Sequence, residues 1–327
     1  MISRCIRFAA GVWFIVLASA IPGHCEVIGV YAAPKLKVER PRLETRTKGL
    51  WRVMYEQLLT RDEKDALQHA RLRFPTLSPD ASLLNFFADS KQGIVYLPIH
   101  SLLLLEDACT AYAWLYQNGY SLITINEYAS MLKHRSPDDS PGKEFPPLKA
   151  LGIPDNAFSD PRVDKLSLRF RNSAYAYVLA HEMGHIWHRH PGNHAVRAEV
   201  SRTNERQADE FALRVLRRDK QIPMGTILFF QMTAFTASPG RFDYPTVKEW
   251  HKALRQATHP VTSDRVGALA DGLRDGANQY GSNREIALDV AGKLKQISGE
   301  MDDLDWQAYF RRIGQRAPLT RLLPRKE

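Results

Sequence analysis

Residues 173–187 read Ser-Ala-Tyr-Ala-Tyr-Val-Leu-Ala-His-Glu-Met-Gly-His-Ile-Trp. Tyr175, Val178, Leu179, Met183, Ile186 and Trp187 leave little of a helical surface polar, so the spacing predicts a helix buried on most sides. Within it His181-Glu182-Met183-Gly184-His185 has the form H-E-x-x-H. Residues four apart share a helix face, so His181 and His185 can grip one metal ion. Glu182 lies about 100° round the helix, beside that ion and free to hold a water. Two solvated surface histidines would also fit the pattern. An apolar helix makes that reading costly, because buried imidazoles and a carboxylate need a metal or hydrogen bonds.

The next amphipathic segment supplies candidates for the rest of the site. Glu205, Ala208, Asp209, Ala212, Leu213 and Leu216 fall on one helical stripe, opposite Arg206, Glu210, Arg214, Arg217 and Arg218. Glu205 and Asp209 thus sit among apolar residues, where an acid needs a partner. Zinc accounts for Glu205 as third ligand. Asp209 is accounted for by a hydrogen bond to the free ring nitrogen of a liganding histidine. The rival extended motif with a third histidine is excluded: its glycine position is His188 and its histidine position is Pro191. The ligand types point to zinc, one ion per chain.

Outward from this pair, the chain reads as mostly α-helical α+β. Residues 26–48 are Pro- and charge-rich and read as an extended lead-in. A helix is expected over Leu50–Arg73, then a β-hairpin from Ser82–Ala88 and Gly93–Leu97. Leu102–Gln117 is a helix closed by Asn118-Gly119, and a shorter one ends near Arg135. Residues 136–161 carry six prolines and read as a long irregular loop. After Ser173 nearly everything is helical, with breaks at Pro191, Pro223, Pro239-Gly240 and His259-Pro260. The expected domains are an N-terminal segment 26–80, a zinc metallopeptidase domain 81–270 with an insertion at about 118–165, and a helical extension 271–327. That extension either packs on the core or docks a partner.

The chain has 327 residues, 44% hydrophobic and 25% charged, which excludes a disordered, collagenous or polytopic membrane protein. Its net charge of +9 is spread without basic blocks, so no nucleic-acid partner is indicated. Arg4 and Arg7 precede an apolar run, Phe8–Ile21, with small residues at its end, Ala18-Ser19-Ala20, and after it, Gly23-His24-Cys25. The run suits a secretory signal peptide over residues 1–25 and is short of a bilayer span. The expected location is the periplasm, with an uncleaved membrane anchor as the alternative and its only membrane contact. Three cysteines cannot build the fold by disulfides. Cys109 reads as a small core residue.

H-E-x-x-H followed by Glu205-Arg206-Gln207-Ala208-Asp209 resembles the gluzincin metallopeptidases, with their Glu-x-x-x-Asp second helix. Ala208 before Asp209, Arg189-His190 after the first motif, and Thr258-His259-Pro260 with Arg265 are similar to the HtpX and CAAX-prenyl-protease type, in its soluble periplasmic (BepA-like) form. Asn85-Phe86-Phe87-Ala88 loosely resembles that type's hairpin. The resemblance implies a zincin-like core, zinc on His181, His185 and Glu205, and Glu182 as general base. It also implies an edge strand near Val95–Leu97 that pairs with an extended protein or peptide substrate. The intervening Pro-rich segment departs from the type and reads as a lid or a docking surface.

His259 has three readings: a donor to the transition-state oxyanion, an occupant of the open metal position as the resemblance allows, or a residue leading into a helix capped near Ser263. Arg265 either binds a substrate carbonyl or pairs with an acid. His188, His190 and His194 read as helix-end cations, with a second metal as the alternative. The function expected is an exported zinc endopeptidase, with envelope protein quality control as its setting. The rivals are a low-turnover, chaperone-like binding protein on the same fold and a zinc hydrolase of a non-peptide amide.

Overall fold

The apolar stretch after Pro98 becomes the helix against which much of the molecule packs. The computed structural model describes residues 30–79, 82–134, 145–191, 196–256 and 261–316. In chain order it begins with α1 (Ala33–Val53), α2 (Arg61–Leu67), β1 (Arg71–Arg73), β2 (Phe87–Asp89) and β3 (Ile94–Tyr96). The core follows as α3 (Ile99–Gln117), α4 (Ile123–His134), α5 (Pro147–Ala150), α6 (Pro161–Trp187) and α7 (Ala198–Arg218). The chain continues through α8 (Thr226–Thr236), α9 (Val247–Gln256), α10 (Ser263–Asp275), α11 (Arg284–Asp302) and α12 (Leu304–Gly314). The protein is mostly helical with one small sheet, as expected. No helix among the described residues is long and apolar enough to cross a membrane. The apolar run at residues 8–21 and the signal-peptide reading lie outside the described residues.

β2 and β3 form an antiparallel hairpin as expected, although its first strand is Phe87–Asp89 and residues 82–86, read as part of it, are not strand. The sheet order is β1-β3-β2. β3 is therefore central, with β1 pairing parallel on its other side, and Val95–Leu97 does not offer a free edge. The reason is that Arg71–Arg73, read as the end of a helix, is extended: Arg71 N–H donates to Gly93 O and Leu97 N–H to Arg73 O. Arg-Leu-Arg holds no β-branched or aromatic residue, so its composition carries no strand signal.

One segment read as irregular is a helix, and another, irregular over most of its described residues, holds short helical turns. The lead-in is α1 from Ala33 onward, with Pro41 inside it and only Leu36, Leu43 and Thr47 buried. So thin a stripe is hard to see in sequence. In the Pro-rich stretch, Phe145, Leu151, Ile153 and Ala157 are buried, and α5 begins with Pro147. Pro161 opens α6, whose N-cap Asp160 accepts from Arg162 N–H. Proline is tolerated in a first helical turn, where its missing N–H has no partner to lose. The described part of the C-terminal extension packs on the core. Phe310 of α12 meets Phe235 edge-on, and Ser130 Oγ of α4 donates to Phe310 O at 2.7 Å.

α6 is tied to α1 and α3 by a buried carboxylate. Glu106 lies 2.5 Å from Arg42 Nη1, 2.6 Å from Arg46 Nη1 and 3.2 Å from Arg171 Nη1. Burial alone would raise its pKa, but Arg171, Arg42 and Arg46 outweigh it and hold the carboxyl below its ordinary value. The stability this adds is present above the ordinary carboxylate pKa and is lost as pH falls through the depressed one. Replacing Glu106 by Ala leaves a guanidinium buried without its charge partner. Urea unfolding is expected to show a loss of about 3–5 kcal/mol; a loss under about 1 kcal/mol would mean that solvent, not Glu106, satisfies the arginines.

Candidate metal centre

α7 returns along α6 so closely that a side chain at Gly184 would be crowded. A Cβ there would lie 3.0 Å from Ala208 Cα and 3.1 Å from Phe211 Cβ. The small pair Gly184 and Ala208 thus brings the acidic stripe of α7 onto the histidine face of α6. His181 Nε2 and His185 Nε2 are 3.1 Å apart. Glu205 reaches both, with Oε2 at 3.3 Å from His181 Nε2 and Oε1 at 3.6 Å from His185 Nε2. All three side chains are buried, and their ligand atoms lie within 4.8 Å of one another.

Asp209 and Arg265 brace this triangle. Asp209 Oδ1 stands 2.8 Å from His181 Nδ1 and accepts from Tyr177 OH at 2.6 Å. Arg265 comes from the first turn of α10, where Thr262 Oγ1 accepts its backbone N–H. Its guanidinium donates Nε to Asp209 Oδ2 at 2.8 Å and Nη2 to Oδ1 at 2.9 Å. Its Nη1 lies 2.7 Å from Glu205 Oε2. Of the two readings of Arg265, the structure shows pairing with acids. Burial would raise the Asp209 pKa, yet Arg265 and His181 outweigh it and hold the carboxyl far below its usual range.

The donor set fits a metal ion. Four-coordinate zinc with nitrogen ligands at about 2.0–2.1 Å needs ligand atoms roughly 3.3 Å apart, close to the separations here. The charges agree as well. Glu205 and Asp209 are buried carboxyls paired with one guanidinium, Arg265, and Glu182 is a further buried carboxyl on α6. With neutral histidines, a divalent cation balances the excess.

The residues singled out in sequence fall as follows. His181, Glu182, His185, Glu205, Asp209 and Arg265 are brought together, all buried. His259 and His194 lie outside the described residues. His188 is exposed, whereas His190 is buried with Nδ1 3.0 Å from His185 Nδ1. Sequence reasoning missed Tyr177 and Gln207. Tyr177 lies four residues before His181, a spacing that places it on the histidine face. Gln207 Oε1 is 2.8 Å from His190 Nε2, a contact no spacing rule announces.

Residues 105–283 match the family model described as Peptidase U49, more than half of the chain and every residue of this cluster. No curated protein and no solved structure matches the chain.

Burial pulls the His181 pKa down, but Asp209 at Nδ1 and Glu205 at Nε2 outweigh it and push it up to about 10. In the metal-free protein this imidazolium stabilises the fold below the ordinary histidine pKa, and that contribution is lost as pH rises through about 10. A metal needs the lone pair, so uptake at pH 7.5 is expected to release about one proton from His181 and to tighten as pH rises. Calorimetry in buffers of different ionisation heat reads that number, and zero release would contradict the assignment. Gly184→Ala adds a good helix former but requires α7 to give by a few tenths of an ångström against α6. Zinc affinity is expected to fall at least about tenfold; unchanged affinity would show that the close approach does not set the ligand spacing.

Proposed function

The chain belongs to the peptidase U49 family, and on that premise we propose that it is a zinc-dependent endopeptidase. The observation that carries this reading is the buried convergence of His181, His185 and Glu205 with Glu182 one residue from the first ligand. Bound zinc supplies a Lewis acid that polarises a peptide carbonyl and lowers the pKa of a water toward ~7. Glu182 would take a proton from a water attacking the carbonyl carbon and hand it to the departing amine nitrogen as the C–N bond breaks. Asp209 keeps the His181 ring turned so that Nε2 faces the ion, and Arg265 holds Asp209 and Glu205 in one arrangement. Burial of these groups keeps bulk water from competing for the proton.

An extended substrate is proposed to add as a further strand to β2, an edge strand of the sheet. The turn after β2 touches the site helix directly, since Ser90 Oγ donates to His185 O at 3.0 Å. The similarity of residues 181–190 and 258–265 to HtpX and CAAX-prenyl-protease type gluzincins supports a zincin core of that type. The basic-then-apolar segment at residues 4–21 supports export, and unfolded envelope proteins are then the substrate class.

The test compares zinc-loaded protein with Glu182→Gln at equal zinc content, on an unfolded protein substrate. Cleavage is expected to fall about 10²–10⁴-fold in the variant. Equal cleavage by both would remove Glu182 from the mechanism. Tight binding of the substrate with no cleavage by either would favour the low-turnover binding protein.

A further inference from the structure

The two histidines of the centre are oriented by different chemistry. His181 Nδ1 faces the carboxylate of Asp209, while His185 Nδ1 faces a second imidazole, His190 Nδ1, at 3.0 Å. Two ring nitrogens at that separation share one proton, so one donates and the other accepts. If His185 offers Nε2 to a metal, its own proton sits on Nδ1, and His190 Nδ1 must accept. Neutral His190 then carries its proton on Nε2. That atom lies 2.8 Å from Gln207 Oε1, which can only accept. The three side chains therefore admit one consistent set of proton positions.

The backbone is shaped to make this contact. α6 ends at Trp187, and Arg189 takes φ 55°, a left-handed conformation that glycine or asparagine usually supplies. The turn lets Arg189 N–H donate to Ile186 O and His190 N–H donate to His185 O, each at 3.0 Å. It swings His190 inward, buried, while His188 and Arg189 stay exposed. The same left-handed ending closes α7 at Lys220, φ 52°. What is particular to α6 is that the residue after the left-handed one is a buried histidine in contact with a ligand histidine.

We propose that His190, held by Gln207, is the positioning residue of the metal centre: it accepts the Nδ1 proton of His185 and reserves His185 Nε2 for the metal. The inference rests on the metal-centre reading above. It also bears on charge. A neutral acceptor at His190, in place of a second carboxylate like Asp209, leaves the excess charge at a level one divalent cation balances.

The test uses the full chain and zinc as the probe, with affinity read by competition against a chromogenic chelator. His190→Phe keeps a ring and removes the acceptor, and zinc affinity is expected to fall about 10–100-fold. His190→Gln returns a side-chain carbonyl and is expected to recover most of that loss. Gln207 is exposed, so Gln207→Leu is safe for folding and decides the matter if His190→Phe does not fold. It is expected to weaken zinc binding severalfold by freeing the His190 tautomer. Nitrogen-15 NMR of the zinc-loaded protein should show His190 protonated on Nε2 and His185 on Nδ1. Wild-type affinity in folded His190→Phe, or a His190 proton on Nδ1, would overturn the inference alone. Zinc binding that is absent in the wild type, or unchanged in His185→Ala, would overturn the metal-centre reading and this inference with it.

Discussion

At Gly184 the backbone of α6 meets Ala208 so closely that a Cβ there would stand only 3.0 Å from Ala208 Cα. The chemistry of the centre depends on that contact. Helices usually pack 8–10 Å apart, with side chains between them. Here glycine faces alanine at the contact, and carboxylates of α7 meet imidazoles of α6 directly. Glu205 meets His181 and His185, Asp209 meets the back of His181, and Gln207 meets His190. One turn of each helix thus carries the ligands and two of the groups that aim them.

Crowding carboxylates into an apolar interface creates a charge problem, and the fold answers it twice with arginine. At the centre, Arg265 from α10 binds Asp209 and Glu205 together. Near the middle of α6, Arg171 shares Glu106 with two arginines of α1. Arginine suits both places because its planar fork stays charged and satisfies several carboxylate oxygens at once. α6 runs through both clusters, so its position is specified by directional bonds as well as by apolar burial.

Much of the centre was legible in sequence because helical periodicity converts spacing into direction. His181 and His185 share a face, and acids at positions 205 and 209 stand in an apolar stripe that cannot hold them unpartnered. The hairpin was legible from Ile94-Val95-Tyr96. What escaped reading depends on contacts between distant segments. β1 is a strand because β3 lies beside it, and its own residues do not say so. α1 is a helix with three buried residues, held by Glu106 sixty positions or more away in sequence. His190 looked like a helix-end cation until a left-handed arginine turned it inward. The prolines of residues 136–161 were read as breakers, whereas Pro147 and Pro161 stand in first helical turns, where they cost nothing.

The Glu106 cluster also bears on where the autonomous folding unit begins. The family match opens at residue 105, just before Glu106, so its first residues carry a carboxylate whose two shortest bonds go to Arg42 and Arg46. A fragment cut to the matched region keeps every residue of the centre. It would nonetheless lose the two shortest partners of that carboxylate and leave it with Arg171 and the Tyr175 hydroxyl. The contacts that satisfy Glu106 therefore begin upstream of the matched region. During synthesis α1 emerges first, and its arginines have no Glu106 to meet until α3 has followed. Helix α1 is a clasp across a body whose chemistry lies elsewhere.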